Sequence, residues 1–334
     1  MGLTRREFIK LCMSSAVGAS LITVLGPELE ETLALAAEGK PPVIWLQGAS
    51  CTGCSISLLN SVAPAIEKVL LDVISLKYHP NISAGSGHLI AEILDEAAIK
   101  YKDQFILVVE GAIPIKNEGV YCTICEKEGK EITMLHAVNI LGNAAKVVIA
   151  AGQCASYGGI PGAAPNPTGV VGVNKIVDAK KVINLSLCPM QPDHFLGTVV
   201  YVLKYGQLPE LDRYGRPRMF FPKPIHESCI RREYFDAGKF AHFIGDEGCL
   251  AMLGCKGFVA MSDCPTRGWN NNVNWCVNAG APCYACSEPT FPDASSPIYG
   301  VYPLTNKTAA ASAQLEPQKT QILEKTRVSR KLAQ

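Results

Sequence analysis

The chain has 334 residues and carries 31 basic against 30 acidic side chains, so its net charge is close to zero. With a balance this even, nothing in the composition points to nucleic acid, and we expect no nucleic-acid partner. The length suffices for about two domains. Fourteen cysteines are many for such a chain, yet their density lies well below that of a small disulfide scaffold.

Residues 1–36 have the features of an export signal. Arg5 and Arg6 precede Phe8, an apolar run covers residues 11–26, and Ala-Leu-Ala at residues 34–36 provides a small-residue cleavage site. The paired arginines resemble a twin-arginine signal, whose route carries proteins that are already folded. A short membrane anchor is the alternative, but the apolar run is too short to span a bilayer comfortably. We therefore predict a periplasmic protein.

The first part of the mature chain, residues 37–210, alternates buried strands with helices. Strands are predicted over residues 41–47, 70–76, 105–109, 147–150 and 182–185, and helices over residues 55–69, 88–101, 131–142 and 193–205. This alternation predicts an α/β fold with a doubly wound parallel sheet. The continuous apolar strands agree with a sheet that is covered on both faces.

Four cysteines follow the ends of these strands. Cys51 and Cys54 come after the first strand, Cys154 after the fourth and Cys188 after the fifth. Open α/β sheets bind ligands at the carboxyl ends of their strands, so we expect the four thiols to meet at one edge. A C-x2-C pair alone also occurs in zinc and thioredoxin-like sites. Two further cysteines at strand ends favour an iron–sulfur site.

A second cysteine-rich region covers residues 211–303. It is dense in Gly, Pro, Asn and Cys and poor in periodic apolar segments, which indicates a region held together by metal sites. Its candidate ligands are His226, Cys229, Cys249, Cys255, Cys264, Cys276, Cys283 and Cys286. Two sets of four such ligands suit iron–sulfur clusters or zinc, with a disulfide framework as the alternative. Export in the folded state favours clusters, because disulfides form only after export.

Six motifs together with the leader resemble a known family. The motifs are Cys51-Thr-Gly-Cys54-Ser55, Gly152-Gln-Cys154-Ala, Cys188-Pro, His226-Glu-Ser-Cys229, Leu253-Gly-Cys255-Lys-Gly and Cys283-Tyr-Ala-Cys286-Ser-Glu-Pro289. In this order they resemble the small subunit of a periplasmic nickel–iron hydrogenase, over nearly the whole mature chain. The resemblance implies a flavodoxin-like doubly wound sheet followed by a cluster-binding domain of little regular structure.

The resemblance also implies three clusters and their ligands. A proximal 4Fe-4S cluster is assigned to Cys51, Cys54, Cys154 and Cys188, a medial cluster to Cys264, Cys276, Cys283 and Cys286, and a distal 4Fe-4S cluster to His226, Cys229, Cys249 and Cys255. Many family members have proline at the position of Cys276 and hold three irons there. Cysteine implies a medial 4Fe-4S cluster, and a 3Fe-4S cluster if Cys276 does not ligate. In this feature the chain is similar to the nickel–iron–selenium branch.

Departures from the family pattern leave every ligand in place. Ile56 stands where many members have glutamate, and Cys188 is followed by Pro-Met-Gln-Pro rather than by paired prolines. Oxygen-tolerant members carry extra cysteines at the positions of Gly53 and Gly159. Because this chain has neither, the resemblance implies an ordinary proximal cubane.

The remaining groups are interpreted as structural or surface residues. Cys122 and Cys125 lie in a predicted polar loop, either as a surface disulfide or as free thiols. We interpret Glu110 and Glu118 as solvated carboxylates rather than as proton-transfer groups. Residues 304–334 form a polar tail, and no apolar span in the mature chain predicts a transmembrane helix.

The resemblance implies an electron-transferring subunit of a hydrogenase. In this family the hydrogen chemistry takes place at a nickel–iron site in a separate large subunit, so we expect no catalytic residue in this chain. Three clusters would connect that site to an external acceptor such as a cytochrome c. The alternatives are a cluster subunit of another redox complex without hydrogenase activity, and a secreted zinc or disulfide protein.

Overall fold

The computed structural model describes residues 40–62 and 64–293, so the predicted export signal and polar tail lie outside the described residues. The strands are β1 (Pro42–Gln47), β2 (Ser75–Tyr78), β3 (Ile106–Glu110), β4 (Ile113–Pro114), β5 (Thr123–Lys127), β6 (Lys130–Thr133), β7 (Val147–Ala151), β8 (Val170–Val171) and β9 (Val182–Leu185). The helices are α1 (Gly53–Leu59), α2 (Ile66–Lys68), α3 (His88–Lys100), α4 (Met134–Ala144), α5 (Gly152–Tyr157), α6 (Pro192–Tyr205), α7 (Arg232–Asp236) and α8 (Cys264–Arg267).

Five parallel strands form the central sheet in the order β2-β1-β3-β7-β9. This is the strand order of flavodoxin-like folds, and it confirms the predicted fold class. The pairing places Gln47 opposite Glu110, Glu110 opposite Ala151, and Ala151 opposite Leu185. The carboxyl ends of four strands therefore lie side by side, and the loops that follow them share one edge.

The sheet is covered on both faces, as its apolar strands predict. Successive residues alternate between two apolar clusters, with Val43 and Trp45 in one and Ile44 and Leu46 in the other. Helices α1 and α6 contribute to the first cluster, and α3 and α4 to the second. This alternation follows from the two-residue repeat of a strand.

The second cysteine-rich region packs on the α1 and α6 side of the sheet. Phe220, Phe221, Leu250 and Trp275 belong to the same apolar cluster as Phe195 of α6. Regular structure among the described residues of this region is limited to α7, α8 and short helical turns. No helix of residues 40–62 and 64–293 combines the length and hydropathy needed to cross a bilayer. The exact division of the chain into residues 37–210 and 211–303 stays a prediction.

Two predicted boundaries between residues 55 and 76 are wrong. The predicted helix over 55–69 ends at Leu59 and is followed by the separate short helix α2. Pro64 between them has no N–H to continue a helix. The predicted strand over 70–76 is instead a π-helical turn, Val69–Val73, and β2 begins only at Ser75. Similar apolar runs suit a buried helix or a buried strand, so the pattern alone does not separate them.

The segment before α4 also differs from its prediction. Residues 131–133 belong to β6, which pairs with β5 as a hairpin, and α4 begins at Met134. Thr133 caps this helix, because its hydroxyl accepts a hydrogen bond from the His136 backbone N–H at 3.2 Å. The remaining predicted strands and helices agree with the structure to within about two residues.

Candidate metal centres

The four predicted proximal cysteines meet at the carboxyl edge of the sheet. Cys51 and Cys54 lie at the junction of β1 and α1, Cys154 in α5 after β7, and Cys188 after β9. Burial raises the pKa of the Cys54 thiol well above its ordinary value, and the charges of Glu110, Cys154 and Cys188 add to that rise. Burial likewise raises the pKa of Cys188, with Cys51 adding to it. The four thiols therefore share one electrostatic neighbourhood.

A glycine keeps space open beside Cys54. Gly152 begins α5 with a φ of +84°, and a Cβ atom built there would lie 2.3 Å from Cys54 Sγ. The Met190 backbone N–H donates to the same sulfur at 3.3 Å. Only glycine combines this backbone conformation with such a close approach. The loop therefore leaves room at Cys54 that any side chain on residue 152 would fill.

The four predicted medial cysteines surround a cavity of about 540 Å³. Two tryptophans, Trp269 and Trp275, also line it. Burial raises the pKa of the Cys264 thiol to about 12. The thiols accept or share hydrogen bonds with the protein, as in the 3.4 Å contact from the Ala285 N–H to Cys283 Sγ. The cavity is thus large, mostly apolar and lined with sulfur. The four cysteines are Cys264, Cys276, Cys283 and Cys286.

Three of the predicted distal ligands, Cys229, Cys249 and Cys255, also lie together. Burial raises the pKa of the Cys249 thiol to about 11, and the charges of Cys255 and Cys229 add to the rise. The Arg231 backbone N–H donates to Cys229 Sγ at 3.4 Å. His226 lies beside the turn that follows Cys255, since its N–H donates to the Gly257 carbonyl at 2.9 Å.

The His226 ring has a free nitrogen in a buried position. The ring stacks on Phe258 at 3.8 Å between centroids and contacts the edge of Phe235 at 4.6 Å. Its Nε2 atom is buried and has no hydrogen-bond partner in the described part of the chain. Burial lowers the pKa of His226 to about 4, and the charge of Arg232 contributes. A neutral imidazole with a free nitrogen is the form that ligates a metal.

The three sets of predicted ligands are connected end to end. Cys188 of the proximal set also lines the medial cavity. Burial raises the pKa of Cys286, and Cys264 and Cys188 both add to the rise. At the other side, the Cys283 N–H donates to Cys255 Sγ of the distal set at 3.3 Å. The order in space is therefore proximal, medial, distal.

The donor atoms, thiols and one imidazole, are of the kinds that ligate iron–sulfur clusters. No three His, Cys, Asp or Glu side chains within residues 40–62 and 64–293 converge closely enough to hold one ion. A cubane needs no such convergence, because each of its ligands binds a different iron. Burial raises the pKa of most of these thiols, and a metal binds the thiolate, so iron binding at these sites would release protons.

Comparison with known proteins decides the family. The C-terminal family model for the small subunit of NiFe/NiFeSe hydrogenases matches residues 221–299. The periplasmic [NiFeSe] hydrogenase small subunit of Desulfomicrobium baculatum is 42% identical over 314 residues, which is 90% of this chain and 99% of that protein. The chain belongs to the small subunits of NiFe/NiFeSe hydrogenases. The periplasmic [NiFe] hydrogenase small subunit 1 of Nitratidesulfovibrio vulgaris is also 42% identical, over 89% of this chain and 93% of that protein.

Solved structures agree with this family. The [NiFeSe] hydrogenase of D. baculatum matches this small subunit with a TM-score of 0.74 at 42% identity, over 78% of this chain and 99% of that chain. The actinobacterial-type NiFe-hydrogenase of Ralstonia eutropha H16 matches with a TM-score of 0.74 at 29% identity, over 88% of this chain and 91% of that one. The predictions of family and hydrogenase activity are therefore confirmed. This chain is one subunit of a hydrogenase.

The sheet half of the small subunit also matches a second family. Residues 51–202 match the model described as NADH ubiquinone oxidoreductase, 20 Kd subunit. The proximal cysteines alone therefore do not distinguish a hydrogenase from another redox complex. The match over residues 221–299 makes that distinction.

Glu110 of the small subunit is buried, so its interpretation as a solvated carboxylate is wrong. Its side chain is 1% exposed and lies at the end of β3, beside the proximal cysteines. Four donors satisfy its oxygens: Trp45 Nε1 at 3.0 Å, the N–H groups of Cys54 at 3.0 Å and Ser55 at 3.2 Å, and the Ser55 hydroxyl. Glu110 is the last residue of β3, and residues at the carboxyl ends of such strands commonly contribute to a binding site. This position is the sequence feature that could have indicated its burial beside the ligands. Glu118 is exposed, as predicted.

Cys122 and Cys125 are free thiols in the structure, which agrees with one of the two alternatives. Cys125 lies in β5 and is buried, so the predicted polar loop is a hairpin with an apolar inner side. Burial raises the pKa of both thiols. Cys122 is partly buried and Cys125 is buried, and a raised pKa lowers the thiolate fraction of both at neutral pH.

Sequence patterns also did not indicate a buried arginine that hydrogen-bonds to Ser287 and Glu288, the two residues after the proposed medial ligand Cys286. Arg216 is 1% exposed, and its guanidinium donates to Asp212 Oδ2 at 2.7 Å and to Glu288 Oε1 at 2.8 Å. It also donates to the Ser287 carbonyl at 3.1 Å, directly after Cys286. No local pattern marks this arginine, because Ser287 and Glu288 lie about seventy residues away in the chain.

Proposed function

We propose that this small subunit transfers electrons through three 4Fe-4S clusters, between a nickel–iron active site in a large subunit and an external acceptor. The end-to-end connection of three four-ligand sets supports this proposal most strongly. A single metal site would support a structural or storage role. Three adjacent sites in a row instead support a path along which electrons move from one cluster to the next. The clusters, when bound, take up and release single electrons.

The proposed ligands are those that the family resemblance implies. The fit rests on thiols that are buried or partly buried except for the exposed Cys51 and Cys276, on a sulfur-lined cavity, and on the free His226 nitrogen. The proximal ligands are Cys51, Cys54, Cys154 and Cys188; the medial ligands are Cys264, Cys276, Cys283 and Cys286; and the distal ligands are His226, Cys229, Cys249 and Cys255. Cys276 makes the medial set complete and supports a place in the selenium-containing branch.

The protein tunes each site through hydrogen bonds and charge. Backbone N–H groups point at ligand sulfurs, from Met190 to Cys54 in the proximal set and from Arg231 to Cys229 in the distal set. Such donors stabilise negative charge on sulfur and raise the reduction potential. His226 replaces a thiolate by a neutral ring and so removes one negative charge from the distal site. Histidine ligation raises the potential in Rieske centres for the same reason.

The proximal edge is proposed as the face that meets the large subunit. Cys51 is exposed there, and so are three apolar side chains nearby: Ile56 at 55%, Leu59 at 50% and Val62 at 60%. An exposed apolar patch beside a redox centre marks a protein interface. The distal site lies at the other end of the row, where we place the external acceptor, such as a cytochrome c. We further propose export to the periplasm by the twin-arginine route.

Expression with and without the partner tests the proposal. The chain alone, reconstituted with iron and sulfide, is expected to show visible cluster absorption but no hydrogen uptake with a dye acceptor. Co-expression with the large subunit and its maturation proteins is expected to restore uptake. Hydrogen turnover by the verified single chain would overturn this division of labour. A colourless assembled protein would instead favour zinc or disulfides, and a coloured complex without uptake would favour another redox complex.

A further inference from the structure

Three buried side chains form a hydrogen-bonded chain beside the proximal set. Glu110 is 1% exposed, His79 is 4% exposed and Ser55 is 6% exposed. His79 Nε2 lies 3.0 Å from Ser55 Oγ, which donates to Glu110 Oε2. Glu110 Oε1 in turn accepts the Cys54 backbone N–H at 3.0 Å. The series of hydrogen bonds therefore connects His79, directly after β2, to the proposed cluster ligand Cys54.

The direction of these hydrogen bonds follows from the loop after β2. The Asn81 backbone N–H donates to His79 Nδ1 at 3.1 Å, so Nδ1 carries no proton. Burial lowers the pKa of His79 and so favours the neutral ring, whose single proton then lies on Nε2. Nε2–H donates to Ser55 Oγ. Because a lone pair of Ser55 Oγ accepts this hydrogen bond, the hydroxyl proton of Ser55 is left to point at Glu110.

Packing holds the His79 ring in place. Its centroid lies 5.1 Å from that of Trp45, whose own Nε1–H donates to Glu110 Oε2 at 3.0 Å. A cavity of about 150 Å³ borders His79, Ser55 and Trp45. The ring of His79 is thus held in a defined position. The adjacent cavity leaves space for a differently shaped side chain when His79 is replaced.

We propose that His79 is a positioning residue for the proximal cluster: through Ser55 it orients the hydroxyl that offsets the charge of Glu110 beside Cys54. The inference rests on the proposed proximal cluster. Nearby charge and hydrogen bonding set the potential of an iron–sulfur cluster. The side-chain contacts of His79 are with Ser55, Asn81 and Trp45, so its influence on the cluster passes through these neighbours.

The sign of the effect follows from electrostatics. Without the His79 N–H, the Ser55 hydroxyl loses its donor and turns away from Glu110 in part of the population. The Glu110 charge is then less compensated, which disfavours the more negative reduced cluster. The proximal midpoint potential is therefore expected to fall. Glu110→Gln removes the charge itself and is expected to raise the same potential.

The test uses the assembled heterodimer with all its clusters and a redox titration followed by EPR. His79→Asn keeps a polar group near the Nδ1 position but does not reach Ser55. His79→Gln reaches the Nε2 position with an N–H donor. Ser55→Ala removes the hydroxyl, and the double variant with His79→Asn tests whether both act in one path. Tyr78→Phe, a buried change on the other face of the sheet, is the matched control.

The expected result has three parts. His79→Asn and Ser55→Ala lower the proximal potential and leave the medial and distal potentials unchanged. His79→Gln and Tyr78→Phe keep the unmodified value. The double variant shifts the potential no further than Ser55→Ala alone, because His79 acts through that hydroxyl.

Several outcomes would overturn the inference. These are an unchanged proximal potential in His79→Asn, an additive shift in the double variant, or an equal shift of all three clusters. His79→Leu replaces His79→Asn if the latter does not assemble, and failure of both, with His79→Gln intact, would show a purely structural role. Absence of a proximal signal from the unmodified heterodimer would instead refute the proposed function, so the two failures are distinguishable.

Discussion

Replacement of Gly152 by alanine tests the geometry of the proximal site most directly. At a φ of +84°, an alanine costs about 1–2 kcal/mol more than glycine, because its Cβ crowds the backbone. That Cβ would also lie 2.3 Å from Cys54 Sγ. Non-bonded carbon atoms pack at about 3.5–4.0 Å, so the thiol must move out of its position. We expect Gly152→Ala to lose the proximal cluster.

Gly206→Ala is the matched control. Gly206 follows α6 at a φ of +63°, and no atom of the described residues lies within 4 Å of a Cβ built on it. Alanine there carries the same backbone cost of about 1–2 kcal/mol without the contact to sulfur. We therefore expect a modest loss of thermal stability and a full set of clusters in Gly206→Ala.

The assays are iron content, EPR of the reduced heterodimer and hydrogen uptake with a dye acceptor. Three cubanes correspond to about twelve irons, and loss of one leaves about eight. Uptake is expected to collapse in Gly152→Ala only, since the first site of the path is missing. A full iron content and an unaltered proximal signal in Gly152→Ala would refute the steric reasoning. Equal losses in both variants would assign the effect to backbone strain alone.

Two further predictions concern the medial region. Cys276→Pro is expected to convert the medial cluster to three irons and to raise its reduction potential. EPR measures the cluster type, and a redox titration measures the potential. A stoichiometric three-iron signal in the unmodified protein would contradict ligation by Cys276. Arg216→Met leaves the buried Glu288 and the partly buried Asp212 without their cation. The change is expected to cost about 3–5 kcal/mol of stability, seen as a shorter half-life of thermal inactivation. Arg218→Met removes an exposed ion pair worth about 0–1 kcal/mol and serves as the control; equal half-lives for the two variants would contradict the role of Arg216.

Local sequence patterns predicted much of the fold. Short apolar runs between helical segments indicate buried parallel strands, and four of the five strands were placed to within about two residues. The error lies at residues 55–76, where apolar residues suit a helix and a strand equally well. Pairing with β1 selects Ser75–Tyr78 as the strand. That choice depends on a partner more than thirty residues away, which no local pattern contains.

Spacing likewise indicated the candidate ligands, because thiols that bind one cluster often come from short turns such as Cys51-x2-Cys54. Their assignment to three clusters follows from the family resemblance and stays a prediction. Tertiary structure alone decided which groups surround them. Glu110 is a charged residue that the sequence places in solvent, yet donors from β1 and α1 make its burial favourable. His79 and Arg216 gain their partners in the same way, across distances in the chain that only tertiary folding closes. Composition and spacing thus indicated a thiol-rich metal site, and packing determined the electrostatic environment of its residues.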